Sequence, residues 1–73
     1  MSDVPRAAFL RLLKATLMLY HASAHQYFRS QTKDEAEIKK HSETIETRLR
    51  ECSELLVEAI QEIEKSDEQR RKL

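Results

Sequence analysis

Three histidines and one glutamate have the types and spacing that could do chemistry. His21 and His25 lie one helical turn apart within TLMLYHASAHQYF, and Glu37 and His41 have the same spacing. Two imidazoles four residues apart can bind one metal from a helix face, and three imidazoles with a carboxylate suit tetrahedral zinc. A chain that folds back with His41 level with His21, and Glu37 level with His25, would bring all four together. Because HxxxH is common in helices, we expect a solvated histidine stripe with no metal and no cofactor.

The sequence gives little indication of a nucleophilic catalytic residue. Cys52 is the only cysteine, so an intramolecular disulfide is impossible and a reducing, intracellular compartment (cytoplasmic or nuclear) is expected. Glu51 and Glu54 beside it disfavour a reactive thiolate. Glycine is absent, so no glycine-rich phosphate loop can form. These features predict a protein that is not an enzyme, with Cys52 packed in a helical core.

Composition predicts an all-α fold. The chain has 73 residues, 36% of them charged and 5% aromatic, with no glycine and a single proline. That balance is typical of long helices. A chain of this size forms one domain whose core supplies only about 3–5 kcal/mol, so it usually needs a disulfide, a metal or partners. With no disulfide possible, a metal or an association remains as a source of additional stability.

The charge distribution argues against several classes of partner. Residues 1–31 carry a net charge of +3 and residues 32–73 carry −3, so the whole chain is neutral. A nucleic-acid-binding domain normally has a net basic face, so we expect no nucleic acid partner. Two helices offer no concave pocket, which makes a small-molecule ligand unlikely on physical grounds. The apolar run Ala7 to Tyr20 is interrupted by Arg11 and Lys14, so it resembles neither a signal peptide nor a spanning helix.

The first helix is expected at about residues 4–29. Asp3 is the expected N-cap, and Pro5 would lie in the first turn, where its missing N–H has no cost. Leu10 to Tyr27 shows apolar residues at alternating steps of three and four, with a second apolar row beside it. A helix that is apolar over more than one face is normally buried by more than one neighbour.

We expect a turn at about residues 30–32, followed by a second helix at about residues 33–70. Thr32 and Glu35 have the spacing of a capping box, S/T-x-x-E. The charged C-terminus is expected to fray. The predicted organisation is therefore a single helical domain over residues 1–73, built as a two-helix antiparallel hairpin.

A single long coiled-coil helix is the alternative fold. An apolar row keeps a seven-residue step from Leu10 to Ala59, straight through the supposed turn. Its companion row, however, becomes polar at Asp34, His41 and Arg48. This change of phase, at the same place as the capping box, favours the hairpin.

A bend at residue 31 would set the register of the hairpin. It places Leu17 level with Ile45 and Leu13 level with Leu49, and it brings Arg11 level with Glu51. The most apolar parts of both helices then face each other. The predicted hairpin core is Leu10, Leu13, Leu17, Tyr20, Ile45, Leu49, Cys52 and Leu56.

More apolar residues remain than one seam can bury. We expect these to form a partner or oligomer interface, made by Phe9, Leu12, Leu19, Phe28, Leu55, Ile60 and Ile63. Two hairpins could thereby assemble into a four-helix bundle, or one could dock on a partner's helices. The predicted function is a non-catalytic protein–protein interaction module, an adaptor or assembly subunit.

Two other functions remain open from the sequence alone. His21, His25 and His41 could make the chain metal- or pH-responsive. The N-terminal amphipathic helix, residues 1–20, could bind a membrane surface, since its apolar run is flanked by basic residues.

Overall fold

The chain folds into two helices that pack as an antiparallel hairpin. The computed structural model describes residues 4–72, with α1 at Arg6–Gln31 and α2 at Glu35–Arg71 and no strand among these residues. The helices contact each other along a rod whose Cα extents are 59 × 18 × 12 Å. The continuous helix of the alternative fold is not observed, because the backbone leaves helical geometry at Thr32, where φ is −113° and ψ is 150°.

The helix bounds differ slightly from those expected. α1 begins and ends two residues later than residues 4–29, and the connection is residues 32–34 instead of 30–32. The charged C-terminal segment continues α2 to Arg71, where the Lys72 N–H donates to the carbonyl of Glu68 at 3.2 Å. The expected N-cap Asp3 lies outside the described residues. At Pro5, φ is −55° and ψ is 140°, and its carbonyl accepts from the Phe9 N–H.

The connection is held by a different cap from the one predicted. The Asp34 side chain, not Thr32, accepts from the Ala36 N–H at 2.9 Å, so Asp34 is the N-cap of α2. The Thr32 hydroxyl accepts from the Asp34 N–H at 3.2 Å and donates to Glu37 at 2.7 Å. The predicted box of Thr32 with Glu35 is therefore wrong. An aspartate closer to the helix satisfies a free N–H of the first turn, and its charge suits the positive end of the helix dipole.

The buried residues of the hairpin are small, with the exception of Ile45. Ala8, Ala15 and Ala22 of α1 are at most 2% exposed, and they repeat every seven residues. Ile45, Cys52 and Ala59 of α2 repeat at the same interval and are at most 8% exposed. An alanine projects only one methyl group, so a row of alanines lets two helix backbones approach closely. The seam is therefore narrow on the α1 side, and Ile45 of α2 is the one large side chain among the described residues buried in it.

Most of the predicted hairpin core lies outside this seam. Only Ile45 and Cys52 of that set are buried. The others are 40–69% exposed, and they are Leu10, Leu13, Leu17, Tyr20, Leu49 and Leu56. The prediction placed the largest apolar side chains in the seam. The structure instead places mainly small side chains there, because the alanine row allows the closer helix contact.

The register also differs from the predicted one. Arg11 pairs with Glu58, with Nε and Oε2 3.0 Å apart, and not with Glu51. The Arg48 guanidinium reaches the Met18 sulfur, at 4.0 Å. With the connection at residues 32–34, the numbers of level residues add up to about 67, where a bend at residue 31 gives 62. Neither helix of the described chain has an apolar stretch long enough to cross a membrane.

Removal of the α2 cap tests the connection. We expect Asp34→Ala to lower the free energy of unfolding by about 1 kcal/mol, because the Ala36 N–H loses its acceptor and the helix dipole loses a favourable charge. Urea unfolding followed by circular dichroism measures the change. The neighbouring Lys33→Ala is the matched control and should change stability by less than about 0.5 kcal/mol. Equal effects of the two substitutions would contradict the assignment of the cap.

Enlargement of a seam residue tests the close approach of the helices. We expect Ala15→Leu to lower the free energy of unfolding by about 1–3 kcal/mol, since Ala15 is 2% exposed and a leucine would push the backbones apart. The same substitution at the exposed Ala36 is the control and should be nearly neutral. Thermal and urea unfolding report both. A hairpin stabilised by Ala15→Leu would rule out the narrow seam.

Candidate interaction surfaces and a histidine pair

Two histidines join the helices near the closed end of the hairpin. The Nδ1 atoms of His25 and His41 are 2.8 Å apart, and the two ring centroids are 5.1 Å apart. The Phe28 ring lies 5.8 Å from the ring of His25 and 6.0 Å from that of His41. His25 follows Ala22 by three residues, so helical spacing sets it at the edge of the seam. The pair is therefore a contact between helices under partial aromatic cover.

The chemistry of this pair depends on protonation. A hydrogen bond between two Nδ1 atoms needs one N–H donor and one unprotonated acceptor. When both rings carry a proton on each nitrogen, the acceptor is lost and two positive charges face each other. The charged residues one turn away are Arg29, which donates to Ser42 at 3.1 Å, and Glu37. The contact between His25 and His41 is thus the part of the predicted histidine set that joins the two helices.

The four-residue metal set does not form. His41 meets His25 instead of His21, because the register is shifted by about one helical turn from the predicted one. The His21 ring lies 6.3 Å from that of Tyr20, and Glu37 accepts a hydrogen bond from Thr32. Among residues 4–72, no group of three or more histidine, cysteine or acidic side chains is placed to hold a metal ion.

The histidine contact can be tested by a matched pair of substitutions. We expect His41→Ala to lower the free energy of unfolding by about 1 kcal/mol more than His21→Ala, because only His41 makes a hydrogen bond to the other helix. Both substitutions change helix propensity equally, so their difference isolates the contact. Urea unfolding at neutral pH gives the comparison. Equal stabilities would show that the His25–His41 bond contributes nothing.

One side of the hairpin carries charged pairs. Arg11 contacts Glu58, and Arg48 contacts Glu51 at 2.9 Å within α2. The side chains of Arg11 and Glu58 are 32% and 52% exposed, so this pair contributes little to stability. An open groove of about 330 Å³ lies on the same side, lined by Lys14, Met18, Glu51, Glu54, Leu55 and Glu58. Two of the acidic residues that line this groove, Glu51 and Glu58, are thus paired with arginines of the hairpin itself.

The opposite side of the hairpin is apolar, and we call it the leucine face. It consists of Leu12, Leu19, Leu49 and Leu56, which are 36%, 53%, 42% and 40% exposed. Each of these leucines lies four positions after a buried seam residue. Met18 and Arg48, which contact each other on the charged side, each lie three positions after a buried seam residue. In an antiparallel helix pair, equal offsets from the seam lie on the same side. The four leucines therefore share one face.

A second apolar surface lies on α1 and points away from α2. We call it the outer stripe, and it consists of Leu10, Leu13, Leu17, Tyr20 and Tyr27, which are 43–69% exposed. Their steps of three, four, three and seven keep them in one row along the helix. This row is roughly opposite the alanines, so α2 does not cover it.

The residues predicted as a partner interface are distributed over these surfaces. Phe9, Leu12, Leu19, Phe28 and Ile60 are exposed, and Leu55 and Ile63 are half-buried. Exposure leaves them available, and their role as an interface stays a prediction. The alanine row is absent from the core predicted from the sequence. Its signal is three alanines at seven-residue intervals, beside rows of larger apolar residues with the same helical spacing.

Comparisons with known proteins yield no relative. No protein-family model, no curated protein and no solved structure matches the chain.

Proposed function

We propose that this chain is a non-catalytic protein–protein interaction module, a small helical adaptor or assembly subunit. The observation that supports the proposal is the apolar surface that its two helices leave uncovered. Among the described residues, fourteen large apolar side chains are exposed, whereas the buried seam consists of four alanines, one isoleucine and one cysteine. Monomeric proteins rarely expose contiguous apolar patches of this kind unless they bind something there.

The free energy available from covering this surface is large. Burial of a large apolar side chain gains about 1.5–3 kcal/mol, so covering one that is already half-covered gains roughly 1 kcal/mol. Fourteen such side chains amount to roughly 14 kcal/mol before the costs of association, which is comparable to the whole stability of a small domain. Association that buries these side chains would therefore stabilise the folded hairpin substantially.

The depressions on the hairpin do not favour catalysis. A groove of about 350 Å³ is lined by Lys40, Glu43, Thr44, Thr47 and Arg48, which all belong to α2. A groove along one helix does not enclose a substrate on several sides, as enzyme pockets do. The Cys52 thiol is buried in the seam, where a substrate cannot reach it without opening the hairpin. A single cysteine also fits the reducing, intracellular setting that we propose for an adaptor.

The outer stripe indicates the kind of partner. Its spacing matches the contact positions of a coiled coil, which dock on another amphipathic helix. Residues 6–31 contain Arg6, Arg11, Lys14 and Arg29 but no aspartate or glutamate. A helix with leucines along one stripe and glutamates on its flanks would therefore complement α1 in both shape and charge.

A designed peptide tests this docking. The probe is a fluorescent helix of about 28 residues, with leucine at the contact positions of each heptad and glutamate at the flanking positions. We expect it to bind the full chain at least about tenfold more tightly than a peptide with lysine flanks, because α1 is basic. Fluorescence anisotropy measures both affinities. The double substitution Leu13→Asn with Leu17→Asn should abolish binding, whereas Val57→Asn, on α2, should not.

Two results would contradict the proposal. One is the absence of binding to either peptide at about 100 µM, together with a strictly monomeric chain at that concentration. The other is flotation with anionic vesicles that is lost in the Leu13→Asn and Leu17→Asn variant while neither peptide binds. That pattern would assign the outer stripe to a membrane surface, which a basic amphipathic helix can also bind.

A further inference from the structure

We propose that the leucine face docks on the same face of a second copy, so that two hairpins form a four-helix bundle. This inference rests on the proposed assembly role and adds the partner and the surface. The outer stripe takes no part in this contact and stays free for a different protein.

Alternating layers along the hairpin carry the argument. Level positions have residue numbers that add up to 67 or 68. Buried pairs, each with an alanine of α1, alternate with exposed pairs of leucines. From the open end the layers are Ala8 with Ala59, Leu12 with Leu56, Ala15 with Cys52, Leu19 with Leu49, and Ala22 with Ile45. The buried pairs bring the helices together, and the leucine pairs project from the same side of the hairpin. The four leucines thus form one apolar layer that the hairpin itself leaves exposed.

A second copy can cover this layer. An interface between identical chains related by a two-fold axis must be self-complementary, and two leucine pairs separated by small residues meet that condition. Leucines of one copy can enter the spaces above the buried pairs of the other, as core residues interdigitate in helical bundles. Gln26 and Ser42 continue the same rows toward the closed end, so the apolar face ends there.

The surface area of the chain agrees with a docked copy. A folded monomer of 8.6 kDa is expected to have about 4,700 Å² of accessible surface. The hairpin has 6035 Å², about 1,300 Å² above that expectation. A standard interface covers about 800 Å² on each partner. One docked copy therefore fits within the excess and still leaves apolar surface on α1.

Charge favours the leucine face over the outer stripe as the site of self-association. The chain is neutral, so two copies do not repel each other at a distance. Contact through the leucine face involves both the basic α1 and the net acidic α2, so opposite charges can line the rim. Contact through the outer stripe would bring together two α1 helices that carry four basic and no acidic side chains between residues 6 and 31.

Sedimentation equilibrium of the full chain over a wide concentration range tests the inference. We expect the wild type to be a dimer, and Leu19→Lys to raise the dissociation constant by about a hundredfold or more, because each dimer loses two buried leucines. Leu13→Lys is the matched control. It introduces the same charge at a similarly exposed leucine, 52% against 53%, but on the outer stripe. We expect it to leave the dimer intact.

A second measurement uses the unmodified chain, so its result does not depend on whether the Leu19→Lys variant folds. In a sample that mixes labelled and unlabelled wild-type chains, isotope-filtered NMR should show contacts between copies from the methyl groups of Leu12, Leu19, Leu49 and Leu56. Contacts between copies from the outer-stripe leucines alone would overturn the inference. So would a dimer that Leu13→Lys disrupts and Leu19→Lys does not. A monomeric wild type would also overturn it, while the peptide experiment would still decide the proposed function.

Discussion

The close contact of three alanines with α2 is the constraint on which the rest of the structure depends. Ala8, Ala15 and Ala22 present single methyl groups, and nothing larger lies between the helix axes on that side of α1. Close packing of this kind fixes the register, because sliding one helix would drive a leucine or a charged side chain into the narrow seam. The ion pair of Arg11 with Glu58 and the contact of His25 with His41 then follow as consequences of that register.

The same constraint puts most of the apolar side-chain volume on the outside. Methyl groups in the seam bury little area, so the hydrophobic gain within one hairpin is small for a chain of this size. The leucines and aromatic residues that could have enlarged the core instead form the leucine face and the outer stripe. A hairpin of this design has a defined shape, and most of its capacity for hydrophobic burial remains available to other chains.

The histidines illustrate how a site depends on register. Both the prediction and the structure place His41 beside a histidine of α1, but the prediction chose His21 and the structure has His25. A connection at residues 32–34 in place of 30–32 moves α2 along α1 by about one helical turn. That movement separates His21 from the pair and leaves Glu37 bonded to Thr32. A cluster of four ligands could not survive a shift of that size.

The amino-acid sequence by itself determined the all-α class, the two helices and the approximate position of the connection. These features depend on local signals, namely the absence of glycine, the helical spacing of apolar residues and the polar segment around Thr32. It also determined that the apolar residues exceed what one seam can bury. Only the tertiary structure decided which row of α1 faces α2. Two rows of large apolar residues and the row of alanines all have helical spacing on α1. The choice among them depends on how closely two backbones can approach, which is a property of the packed pair of helices.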